Sequence, residues 1–317
     1  MGVMAATMVP TSDRLPDVLP AGRLLADGRP EPALRAELRR VPSWRNAVTV
    51  GAAWAQVAAV IAGAVWIDRW WAWPIAVVLM GRSFALLLIL AHEAAHRLLF
   101  SDRRVNDGVG RWLLAAPGLV PFDLYRRAHM AHHRDELGPD EPDAALYAGY
   151  PITRASLRRK LTRDAVGISG WKNLRPLLRG AVRSSSRRTV APVLVAQAAL
   201  LVAFTLAGRP WLYPLLWLLP WMTSWRVINR LRVIAEHGGM TRSADKRCTT
   251  HQVRQRWAAR FWMVPYRTGW HLAHHVDAGV PWRNLPSLHR ELEAAGWVTP
   301  ALEWPSYTAL WKALSAR

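Results

Sequence analysis

The chain has 317 residues, 51% of them hydrophobic, and carries 42 Lys and Arg against 22 Asp and Glu, a formal net charge of +20. That composition excludes a disordered or collagen-like polymer. The single cysteine, Cys248, excludes a disulfide scaffold and any iron–sulfur cluster or zinc ribbon built from the chain's own thiolates.

Residues 1–45, rich in Pro and Arg and without the apolar run of a signal peptide, read as a flexible cytosolic segment. Ala47 to Ile67 follows, 21 residues without a formal charge. As a helix it extends about 31 Å, enough to cross a hydrocarbon core. Beyond Asp68-Arg69 a second apolar run, Trp71 to Ala91, is interrupted only by Arg82. A charge inside a span is a functional suspicion by default. The short connection makes the two runs an antiparallel hairpin, with Trp66, Trp70, Trp71 and Trp73 at its interface end, part of a total of 19 Trp.

Two stretches, Val109–Phe122 and Trp257–Tyr266, are too short to cross and are expected to lie along the membrane surface. The Arg-rich stretch 154–188 is expected to face anionic headgroups. A second hairpin joins Val190–Ala207 to Trp211–Ile228 through Gly208-Arg209-Pro210. Its Pro192, Pro214 and Pro220 are tolerable in membrane helices, where neighbours satisfy the freed carbonyls. On this plan residues 46–295 form a membrane domain and 296–317 a cytosolic tail.

Of the basic residues, 39 fall on one side of the four crossings and two on the other. The positive-inside rule then places both termini and the large middle loop in the cytosol, at the cytoplasmic membrane, and explains the net charge without nucleic acid. The expected fold class is all-α: an integral membrane protein with four transmembrane helices in two hairpins and a cytosolic helical cap.

All eleven histidines lie outside the spans. Eight form three clusters: His92 and His96, in His92-Glu93-Ala94-Ala95-His96; His129, His132 and His133; and His271, His274 and His275. Spacings of i, i+3 and i+4 share a helix face, so each cluster is expected to aim its imidazoles at one point. His237, in Glu236-His237-Gly238, is a ninth candidate, whereas His251 and His289 lack cluster partners and read as structural. So many imidazoles exceed the needs of one zinc and imply a dinuclear centre, for which iron suits redox work. The first cluster is also the H-E-x-x-H of zinc metalloproteases. Such a protease has no use for the other two clusters, and Glu93 is expected to orient an imidazole.

These three boxes, the two hairpins, Glu236-His237-Gly238 and the run Val280-Pro281-Trp282-Arg283-Asn284-Leu285-Pro286 resemble the membrane fatty acid desaturase and hydroxylase superfamily. The resemblance implies four transmembrane helices under a cytosolic cap and a di-iron centre of two Fe ions. Dioxygen is then a co-substrate, attacking an unactivated C–H bond of a lipid-like or acyl-chain substrate. Pro265-Tyr266-Arg267-Thr268-Gly269-Trp270 departs from the Pro-aromatic-Asn pattern common before the third box, which weakens transfer of substrate class. No haem module, dinucleotide fingerprint or cysteine cluster is present, so electrons are expected from a separate donor, and the basic face suits an acidic ferredoxin-like carrier. The expected activity is fatty acyl desaturation. Hydroxylation or ketolation on the same scaffold, a membrane zinc protease and a metal store are the alternatives.

Overall fold

The computed structural model describes residues 7–15 and 23–316. It is largely helical, with one two-stranded parallel ladder, Gln252–Val253 against Glu303–Trp304. The chain divides into two compact units.

The first, residues 42–127 and 159–229, carries the long helices. Among the described residues, three helices are long and apolar enough to cross a membrane: Ser43–Ile67, Ala72–Ala95 and Ser184–Leu206. The first two form the expected hairpin. It turns at Asp68 in the left-handed region (φ 41°), with Trp66 and Trp70 exposed. Polar side chains fasten it from within: Asn46 is fully buried and donates to the Leu99 carbonyl (2.9 Å), and Gln56 donates to Ser83 Oγ (3.1 Å) and accepts from Arg82. Arg82 is therefore a hairpin fastener, since a charge at that depth needs a partner.

The stretch expected as a fourth span, Trp211–Ile228, is not one helix. It runs as a wide turn at Pro214–Leu218 and a short helix at Leu219–Met222, and leaves helical geometry at Thr223 (φ −120°, ψ −88°) before the helix Ser224–His237 begins. Pro214 and Pro220 each remove a backbone donor, which explains the wide turn. The indoles of Trp217 and Trp221 donate to the carbonyls of Pro117 (3.0 Å) and Gly118 (2.8 Å), so the broken stretch is held from the side.

The second unit comprises 1–41, 128–158 and 230–317 within the described residues. Its core packs Leu34 and Leu38 with Leu272, Val276, Trp282, Leu285, Leu288 and Trp297. Within the N-terminal segment expected to be flexible, Pro32–Leu38 are helical, and Arg35 and Arg39 both grip the buried Asp277 carboxylate at 2.7 and 2.5 Å; residues 1–6 and 16–22 of that segment lie outside the described ones. The C-terminal stretch set apart as a tail holds a helix, Tyr307–Leu314. Ser306 caps it by accepting from Ala309 N (3.1 Å), and it buries Leu310 and Leu314 completely.

Candidate metal centre

The second and third boxes and His237 all fall in the second unit. His129, His132 and His133 occupy the last turns of the helix Phe122–Arg134. His237 ends the helix Ser224–His237, and His271, His274 and His275 lie on the six-residue helix His271–Val276. Their Nε2 atoms converge. His133 Nε2 is 3.1 Å from that of His129 and 3.1 Å from that of His274. His271 Nε2 is 3.1 Å from that of His237 and 3.0 Å from that of His275. His132 joins this second set, one of its nitrogens lying within 4.8 Å of nitrogens on His237 and His275.

The second and third boxes therefore each divide between two sets instead of aiming at one point. The reason is helical geometry: at about 100° per residue, positions i and i+4 diverge by about 40°, whereas i+3 points about 60° to the other side of i. His129 and His133 go one way and His132 the other; His271 and His275 go one way and His274 the other.

The outward nitrogens are oriented by the protein. His237 Nδ1 donates to the Thr249 carbonyl at 2.9 Å, which fixes the proton on Nδ1 and turns the Nε2 lone pair inward. His132 Nδ1 bonds Glu141, whose other oxygen accepts from Leu137 N at 2.5 Å. Glu136 Oε1 lies 2.7 Å from His275 Nδ1, a short but bent contact. The same carboxylate accepts from Lys246 Nζ (2.7 Å) and Thr249 Oγ1 (2.6 Å). Glu236 stands farther off, 3.7 Å from His271 Nδ1.

Burial sets the charge state. Loss of water holds His237 down to about 3, with the charge of His132 adding to the effect. Burial and neighbouring imidazoles push His271 and His275 well below the ordinary histidine value. These rings are neutral, the form that binds metal. At His132 burial also lowers the value, but the hydrogen bond and charge of Glu141 outweigh it and the net shift is upward. Burial pushes Glu141 up, and its hydrogen bonds with His132, Tyr147 and Leu137 together with the charge of His132 bring it down again, for a net downward shift.

The arrangement passes a direct test of fit. Nitrogens 3.0–3.1 Å apart are too many and too close to be satisfied by sharing protons. That separation is the edge of a ligand polyhedron whose nitrogens sit roughly 2.1 Å from a central ion.

The first box lies in the other unit, at the end of the helix Ala72–Ala95. His92 and His96 pair edge-to-face with ring centroids 4.8 Å apart. Glu93 is buried, with Oε1 3.8 Å from His92 Nδ1. The helix end is secured by Arg126, which donates to the carbonyls of Ala94 (2.9 Å) and Ala95 (3.1 Å) and is held by Asp107. The Arg126 hydrogen bond, opposed by partial burial, keeps Asp107 down at about 2.

The profile of the fatty acid desaturase family matches residues 68–305. The chain belongs to the fatty acid desaturase family. It is accordingly an oxidoreductase. It is 24% identical over 260 residues to dihydrorhizobitoxine desaturase of Bradyrhizobium elkanii, covering 74% of this chain and 72% of that one. It is 23% identical over 305 residues to the sn-1 oleoyl-lipid 12-desaturase of Arthrospira platensis, covering 87% and 80%. With the chloroplastic sn-2 acyl-lipid omega-3 desaturase (ferredoxin) of Arabidopsis thaliana it shares 31% identity over 116 residues, 34% of this chain and only 26% of that one.

In this desaturase-family chain the orienting residues Glu136, Glu141 and Thr249 are the ones that box spacing does not reveal. A signal for two of them exists: five acids crowd into residues 135–143, directly after the second box of a strongly basic chain.

Proposed function

We propose that this protein is an oxygen-dependent di-iron desaturase acting on a fatty acyl chain at the cytoplasmic membrane. The observation that carries the reading is the pair of converging imidazole sets in one unit, each with Nε2 separations of 3.0–3.1 Å. His129, His133 and His274 would hold one iron and His132, His237, His271 and His275 the other, with His92 and His96 completing the ligand set as the family's three boxes imply. Bound there, two irons supply the activation of dioxygen and the abstraction of hydrogen from an unactivated C–H bond. The chain's own residues present neutral nitrogens, fix the His237 ring through Thr249 and tune His132 through Glu141.

Three long apolar helices and the broken fourth stretch support a four-pass arrangement in which Trp211–Ile228 crosses as a kinked element. The 39-to-2 distribution of basic residues supports cytosolic termini. A separate carrier supplies electrons. The name of the Arabidopsis relative includes ferredoxin, and a basic chain suits an acidic donor. The name of the Bradyrhizobium relative specifies dihydrorhizobitoxine and no acyl lipid, which keeps a different lipid-like substrate as the second reading.

Metal analysis of the purified protein tests the centre: about two irons per chain are expected, and a single zinc would overturn it. Lipid profiling of cells with and without the protein tests the reaction. A new unsaturated acyl species is expected, and a hydroxylated one would replace desaturation by hydroxylation.

A further inference from the structure

The histidine-bearing unit holds a second concavity, of about 480 Å³, that no candidate metal ligand lines. Its walls are the N-terminal residues 7–11 with Arg14, the run Thr250-His251-Gln252, and residues 301–305. The N-terminal wall is pinned by a backbone hydrogen bond from Met8 N to Gly239 O at 3.0 Å. Gln252 is 2% exposed, and neither its Nε2 nor its Oε1 has a hydrogen-bond partner among the described residues. A buried carboxamide left this way is costly, and one that lines a cavity is satisfied by what enters it.

Charge narrows the class of occupant. Arg247 is matched by Asp245 (2.7 Å) and Glu303 by Arg254 (2.8 Å), while Arg14 makes no salt bridge among the described residues. Among the described residues Arg14 is thus the wall cation without a salt bridge, the acid its charge reaches being its exposed neighbour Asp13. Gln252 needs both a donor and an acceptor, and Met8, Val9, Leu302 and Trp304 offer apolar contact.

We propose that this cavity binds a small organic monoanion bearing an amide, such as an N-acyl amino acid, with the amide on Gln252 and the carboxylate on Arg14. It is an effector site and not the reaction site. Leu272, which lies inside the third box between His271 and His274, reaches this wall as part of the apolar core, and none of the box's histidines lines the cavity. The two are nevertheless linked: the Thr249 carbonyl holds His237 Nδ1, and the next three residues form the cavity wall.

Calorimetry on the full-length, metal-loaded protein tests this with three probes: N-butanoylglycine, butanoate, which lacks the amide, and N-butanoylglycinamide, which lacks the charge. N-butanoylglycine is expected to bind at least about tenfold more tightly than either. Gln252→Leu should remove its advantage over butanoate, and Arg14→Gln its advantage over the neutral amide. Both variants should keep wild-type metal content. Arg14 is exposed, so Arg14→Gln carries the test should Gln252→Leu not fold. No binding of N-butanoylglycine at millimolar concentration, equal affinity for all three probes, or affinity unchanged in Arg14→Gln would overturn the assignment.

Discussion

Glu136 sets one oxygen 2.7 Å from His275 Nδ1 while its other oxygen accepts from Thr249 Oγ1, the residue whose carbonyl holds His237. One buried carboxylate thus ties together the supports of two imidazoles. Glu136→Gln keeps the shape and removes the charge. Loss of an orienting partner of this kind costs about 10–100-fold in metal affinity or activity. Iron content and turnover should both fall, and wild-type values for both would show that the Glu136 charge does not position His275.

The split of each HxxHH box between two sets makes a sharper claim than loss of activity. His133→Ala removes a nitrogen from the set with His129 and His274, and His132→Ala removes one from the set with His237 and His275. Both variants should lose at least about 100-fold in turnover while inserting normally, since neither residue lies in a span. The spectroscopic signature of the residual metal should differ between them. Identical residual spectra would mean that the two residues serve the same ion.

How far the sequence alone reaches depends on the range of the interaction. The first hairpin is legible because a charge-free run and a short turn are local features, and the three boxes because their spacing is helical. Thr249 is not legible, since it meets Glu136 across 113 residues of chain and His237 through a backbone carbonyl that any residue could supply. The break at Thr223 is also hidden. The prolines before it permit either a kinked or an interrupted helix, and the choice rests on the distant carbonyls of Pro117 and Gly118.

Asp107 gives a pH signature on the first box. Its folded-state value of about 2 lies below the ordinary 3.8, so its stabilising contribution is fully present above about pH 4 and is lost as pH falls through 2. The melting temperature of Asp107→Asn should lie below wild type by a constant amount above pH 4, and the gap should close between pH 4 and 2. A gap that persisted at pH 2 would assign the effect to packing rather than to the Arg126 pair.

The Arg35–Asp277–Arg39 clip predicts a stability loss in the second unit. Asp277 is buried, with a side chain 2% exposed, whereas the two guanidinium groups are 40% and 39% exposed. The double variant Arg35→Gln, Arg39→Gln strands a buried carboxylate. The cost, discounted for the solvent already around the arginines, is about 2–3 kcal/mol. Chemical unfolding should show it, with either single variant milder because one guanidinium remains.

Gly81 marks a close approach between the helix Ala72–Ala95 and the start of the helix at Ser224. A Cβ placed there would stand 2.2 Å from Ser224 Oγ and 2.9 Å from the Trp225 backbone nitrogen, and Ser224 Oγ itself donates to the Val77 carbonyl at 2.9 Å. Even a methyl group must push the two backbones apart and break that bond. Gly81→Ala should therefore destabilise by about 1–3 kcal/mol, the usual cost of overpacking. The double variant Gly81→Ala, Ser224→Ala should recover little, because the backbone of Trp225 still blocks the methyl. Full recovery would show that the hydroxyl alone makes the contact tight.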